Sequence, residues 1–317
     1  MFSQKNAIVV VNEETGKVSV YDEVTKADTK EFDDRYIIRL NKKYGLIDDK
    51  GNDITGLKYD KIKKRSFGGY FIVTVGGKNG LIDRTGKEIG SIKYDDVEFF
   101  NCERAKVKLN GKYGYITTDG VEIIKPVYEE ASDVYNDGVA VVKLGGKYGV
   151  IDKDGNVILC FEYDDIDTDY RGVYTVKKGN RYAILDGKGR QICDFKYRYI
   201  RVLTLLNDSP FLAIVGSKGV YGIIDKEGKE VIPVECDSFH DIHKYFVIVE
   251  KEGMWGIMDS SGRTIVDFEW DHIRDFDRRG YAELIKNNKD NYFDQISKYT
   301  DRYGRIYDEY PKKATLW

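Results

Sequence analysis

A five-residue motif recurs seven times along the 317-residue chain at nearly constant spacing. The copies are Tyr44-Gly45-Leu46-Ile47-Asp48, Asn79-Gly80-Leu81-Ile82-Asp83, Tyr113-Gly114-Tyr115-Ile116-Thr117, Tyr148-Gly149-Val150-Ile151-Asp152, Tyr182-Ala183-Ile184-Leu185-Asp186, Tyr221-Gly222-Ile223-Ile224-Asp225 and Trp255-Gly256-Ile257-Met258-Asp259. From Gly45 to Gly256 the steps are 35, 34, 35, 34, 39 and 34 residues. A unit this short cannot bury its own apolar residues, so the fold must be an array in which like units stack on one another.

The motif's Asp is followed three residues later by Gly, as in Asp48 and Gly51 or Asp225 and Gly228. An Asp side chain caps a tight turn and Gly takes its left-handed position, which together read as a hairpin. A calcium site would need more than one recurring carboxylate per unit. Next comes an apolar strand ending in an aromatic–acidic pair: Tyr59-Asp60, Tyr94-Asp95, Tyr128-Glu129, Tyr163-Asp164 and Trp270-Asp271. Aromatics stacked at one repeated position point to core between units. A last strand, such as Ala105-Lys106-Val107-Lys108-Leu109, alternates as if one face were buried and one wet. Each unit is thus a meander of three or four strands.

Scarce proline (4) beside abundant glycine (32) agrees with an all-β chain rich in tight turns. The expected fold is all-β, tandem ~35-residue β-meander repeats forming one domain over 1–317, with full repeats at about 36–291 and atypical end units at 1–35 and 292–317. Eight strands that precede the Gly motif, beginning near Tyr36, Phe71, Ala105, Val139, Tyr174, Leu212, Phe246 and Ala282, suggest a propeller-like ring. An open β-solenoid is the alternative, because about 35 residues is tight for a four-stranded propeller blade.

The pattern aromatic-Gly-apolar-Ile-Asp-x-x-Gly, then Tyr-Asp-x-Ile, resembles the bacterial tryptophan-glycine (WG, or KWG) repeat family over nearly the whole chain. Tyr replaces Trp in most copies, Asn79 does so in one, and the family's proline survives only at Pro126 and Pro233. The resemblance implies an interaction or structural module with no shared catalytic site, and it names no ligand.

Chemistry beyond binding finds little footing. The three histidines, His240, His243 and His272, lack a helical frame for zinc. The four cysteines have no CxxC spacing and read as small core residues. No nucleophile elbow or phosphate loop occurs. No enzyme activity, cofactor or metal is therefore expected. With 51 basic and 54 acidic residues the net charge is −3, which gives no global pull toward nucleic acid. The apolar run from Ala7 to Val11 is too short for a signal-peptide core, and no stretch reaches membrane-span length, so the expectation is a cytoplasmic protein off the membrane.

The expected function is a non-enzymatic scaffold that binds a protein partner, inhibiting it by occlusion. Nucleic acid or another anionic ligand is the alternative, through a basic row just before the aromatic-Gly motif: Lys43, Lys78, Lys112, Lys147 and Arg181. A second basic cluster includes Lys63, Lys64 and Arg65, in the variable connection after the aromatic–acidic pair. Such connections differ most between units and are the places to look for contacts. The insertion at 201–209, with Arg201, Asn207 and Asp208, accounts for the long step of 39.

Overall fold

A computed structural model describes residues 8–26, 35–64, 69–168, 172–203, 211–243, 245–287 and 295–311. All its regular structure is β, and the chain divides into two compact units, Met1–Tyr163 and Asp164–Trp317.

The first unit opens with a hairpin of Ile8–Val11 and Val18–Tyr21, followed by a three-stranded sheet of Glu23–Lys26, Arg35–Leu40 and Lys43–Asp48. Three four-stranded sheets come next: Lys61–Lys64, Tyr70–Val75, Lys78–Asp83 and Glu88–Tyr94; then Asp96–Val97, Arg104–Leu109, Lys112–Thr117 and Glu122–Tyr128; then Glu130–Ala131, Val139–Leu144, Lys147–Asp152 and Val157–Tyr163. The second unit holds four more, starting at Asp165–Thr168, Tyr199–Val202, Ser238–Ile242 and His272–Ile273. Every one is an antiparallel meander in chain order. The eight strands expected before the Gly motif are all present, each as the second strand of its sheet. Four strands do fit the repeat, because the first strand can be only two residues long, as at Asp96–Val97.

The glycine motif lies on the third strand, where three successive residues are buried in six of the seven copies, for example Gly114, Tyr115 and Ile116. A strand buried on both faces must have a neighbour on each side. Core clusters accordingly join consecutive sheets. Tyr94 packs with Leu81 and Ile89 of its own sheet and with Ala105, Val107 and Ile116 of the next. Trp270 does the same between Ile257 and Leu284 in the second unit. The supposedly wet face of Arg104–Leu109 is only half wet: Lys106 reaches across to Asp133 at 3.0 Å.

The motif glycine has a steric cause. Opposite it the fourth strand carries extra residues, since Tyr113 pairs with Tyr128 while Tyr115 already pairs with Ile124. This bulge folds over Gly114, whose added Cβ would meet Ile124 O at 2.4 Å and Pro126 N at 2.7 Å. Pro126 and Pro233 stand inside such bulges, where the ladder asks for no N–H. The turn reading also holds. Asp48 Oδ1 accepts N–H groups from Lys50 at 3.0 Å and Asn52 at 2.7 Å, with Gly51 at φ 82.

At the front, Asn12 replaces the turn Asp and accepts from Glu14 and Thr15 N–H. At the back, Asp301 and Gly304 form the turn after Gln295–Asp301, which with Ile306–Tyr307 completes the last four-stranded sheet. That register places Lys298 at the motif-glycine position. The cysteines divide. Cys193 and Cys236 are core, but Cys102 is half-buried and Cys160 exposed, because its turn in the bulged fourth strand faces outward.

Candidate protein-interaction surface

The acidic residue of each aromatic–acidic pair sits where one sheet passes to the next. Asp60 Oδ2 accepts the Gly76 N–H at 2.7 Å and Glu129 Oε2 that of Gly146 at 3.0 Å, and Asp237, which follows Cys236 in place of an aromatic, accepts that of Gly253 at 3.0 Å. The carboxylate therefore caps the turn between the second and third strands of its own sheet. Its other oxygen faces back to the basic row: Lys43–Asp60 and Lys78–Asp95 close to 2.6 Å, and Lys112–Glu129 to 3.6 Å. The lysine bond, first among the causes, holds the Asp60 and Asp95 carboxyls below their ordinary range. Lys147 is engaged as well, and Arg181 donates to the Lys196 carbonyl. The row is exposed, yet each cation has an internal partner.

Lys63 and Lys64 belong to the first strand Lys61–Lys64 and not to a connection, with Lys63 exposed. Arg201 is also on a first strand, opposite Ile214, and exposed. The apolar neighbours Ile62 and Ile200 draw these segments into strand pairing. Arg65, Asn207 and Asp208 lie outside the described residues.

Where the copies disagree, the first unit builds a continuous surface. Phe100, in the connection before Arg104, packs against Tyr70 of the preceding sheet with ring centroids 4.7 Å apart. Cys102 Sγ donates to the Tyr135 carbonyl of the following connection at 3.2 Å. Cys102 and Glu103 both have positive φ, 47 and 63, a backbone kink that turns Glu103 outward. Val134 anchors the next connection in the core, leaving Asn136 and Asp137 exposed. Next to Glu103 stands Arg104, a residue that no recurring motif marks. Its guanidinium is 9% exposed and donates to Lys153 O and Asp154 Oδ1, both at 2.9 Å, in the following sheet's turn. Arg35 makes the same reach to Arg84 O at 2.9 Å.

In the second unit His240 stacks on Trp255 at 3.8 Å, His272 meets the same ring tilted by 60° at 4.2 Å, and His243 stacks on Phe246 at 4.9 Å. Burial, followed by the charge of Asp275, pushes the nearby Asp241 carboxyl up. Among the described residues no group of three or more His, Cys, Asp or Glu could hold a metal ion. Nor is any helix there long and apolar enough to cross a membrane.

Solved structures similar to the chain include a eukaryotic initiation factor (TM-score 0.36, 10% identity, 97% of each chain covered) and Kluyveromyces lactis Hsv2p (TM-score 0.32, 12% identity, 83% of this chain and 93% of that one). No curated protein matches the sequence. The WG containing repeat matches residues 44–78, 80–113, 113–148, 148–182, 221–255 and 255–289, in step with the sheets described above, and the chain belongs to the WG-repeat family.

Proposed function

We propose that this WG-repeat chain is a non-enzymatic, cytoplasmic scaffold that binds a protein partner, with the ridge of connections in the first unit as its contact face. One observation carries the reading. The recurring residues are consumed in holding sheets together, whereas the non-recurring ones at 99–103 and 133–137 join into one surface through the Tyr70–Phe100 and Cys102–Tyr135 contacts. Half-buried aromatics ringed by exposed polar side chains are the make-up of a protein interface. Occlusion of the partner follows if the ridge covers its working surface. The pairing of Lys43, Lys78 and Lys112 with internal carboxylates weighs against the alternative of an anion-binding row, since phosphates would have to displace those partners.

A photo-crosslinking amino acid at Asn136 tests this in cells. A discrete protein adduct from Asn136, missing when the crosslinker is moved to Lys112, is the expected result. Adducts from Lys112 and none from Asn136 would overturn it.

A further inference from the structure

The second unit carries a cleft that neither the scaffold nor the proposed contact face uses. It opens between the turns at 259–262 and 301–304 of its last two sheets, with a volume of about 410 Å³, and is lined by Tyr245, Asp259, Arg263, Ile265, Arg302 and Tyr303. That is the size range of small-molecule sites. Tyr245 and Tyr303 are 51% and 60% exposed, high for large aromatic rings. The guanidinium groups of Arg302 and Arg305 lie 5.3 and 5.6 Å from the Tyr303 ring centroid.

The charge around the cleft is set by one position of the repeat. Four residues after the turn Asp, all four sheets of the second unit carry a cation: Arg190, Lys229, Arg263 and Arg305. The corresponding residues of the first unit are Asn52, Lys87, Val121 and Asn156. The turn itself does not require the cation, because Asn52 and Asn156 close it equally well. Arg263 and Arg305 use Nε to hold their own Asp, at 3.0 and 2.6 Å, while their side chains stay 78% and 63% exposed. Asp259 is thereby paired within the cleft, and Arg302, which has contacts of its own, also lines it. Exposed tyrosine faces beside arginines suit a planar base joined to a phosphate: the ring stacks and the guanidinium takes the anion.

We propose that this cleft binds a nucleoside phosphate, either free or carried in a single-stranded nucleic acid. Full-length protein would be titrated with adenosine monophosphate, inorganic phosphate and a short fluorescent oligothymidylate, comparing wild type with Tyr303→Ala, Arg302→Ala and Lys50→Ala. Lys50 is an exposed cation of the first unit, paired with Glu14. The expected result is that the nucleotide binds more tightly than phosphate, that Tyr303→Ala and Arg302→Ala each weaken it about tenfold, and that Lys50→Ala has no effect. Tighter binding of the oligonucleotide than of the mononucleotide would assign the site to a strand, and the reverse to a free nucleotide. Absence of binding, equal binding of phosphate and nucleotide, or equal losses in all three variants would overturn the proposal. None of these outcomes bears on the protein-binding ridge, whose residues lie in the other unit.

Discussion

Lys43 Nζ lies 2.6 Å from Asp60 Oδ1, while Asp60 Oδ2 accepts the Gly76 N–H at 2.7 Å. One carboxylate thus ties the third strand of a sheet to a turn in the next. Asp60→Ala loses both bonds and should lower the melting temperature more than Lys43→Ala, which leaves the turn capped. Because Lys43 and Gly76 depress the Asp60 pKa below 3.8, its stabilisation is full above that pH and is lost as pH falls through the lower folded-state value. Asp60→Asn should therefore flatten the acid limb of the stability curve, as followed by circular dichroism between pH 5 and pH 2, a window set by about ±1.5 units around the carboxylate value.

Gly114→Ala should destabilise the protein by about 1–3 kcal/mol in urea denaturation, because the new methyl meets backbone atoms of the bulge and not a side chain that can swing away. Ala183 occupies the same position in the second unit and is fully buried, so one copy has adjusted to a methyl there. The loss at Gly114 is accordingly one of stability, and the fold should survive.

Arg104→Lys should be no remedy for Arg104→Ala. The guanidinium reaches a carbonyl and a carboxylate at once, from a site only 9% exposed, and an ammonium has no planar fork to do so. Both variants should lose about 1–3 kcal/mol, the range for stranding buried hydrogen-bonding groups. Arg35 donates to the Arg84 carbonyl, a backbone acceptor, so Arg84→Ala should leave that contact in place.

Burial, and then the bond to Glu230, push the Tyr197 hydroxyl from 10.0 up to about 12, and burial raises Tyr163 to about 12. In the unfolded chain both would ionise near their ordinary value. Their stabilisation is thus whole below pH 10 and is lost as pH rises toward 12. Absorbance at the phenolate band should lag that of free tyrosine and then rise together with loss of β signal. Tyr197→Phe should shift that unfolding to higher pH.

Periodicity carried most of the fold. The seven motif copies, the Asp–Gly turns and the eight second strands are all visible as spacing, because a stacked array repeats its packing demands in sequence. Function was less legible for the same reason. Lys43, Lys78 and Lys112 looked like a binding row, since the sequence does not say that Asp60, Asp95 and Glu129 lie across from them, 17 residues on. Arg104 and the Tyr245–Tyr303 cleft come from positions that differ between copies, so no pattern marks them. The one signal for the cleft was the run of cations at Arg190, Lys229, Arg263 and Arg305, seen only when the turns are compared unit by unit.

In the proposed scaffold, recurring residues hold the sheets together and non-recurring ones meet the partner. The measurement that tests this most directly is affinity capture from the source cells with two variants, each also assayed for thermal stability. One is Lys43→Ala/Lys78→Ala/Lys112→Ala, and the other Glu103→Arg/Asp137→Arg. The lysine variant should melt earlier and still capture the partner, whereas the ridge variant should melt like wild type and lose it. Loss of the partner by the lysine variant together with retention by the ridge variant would contradict the account.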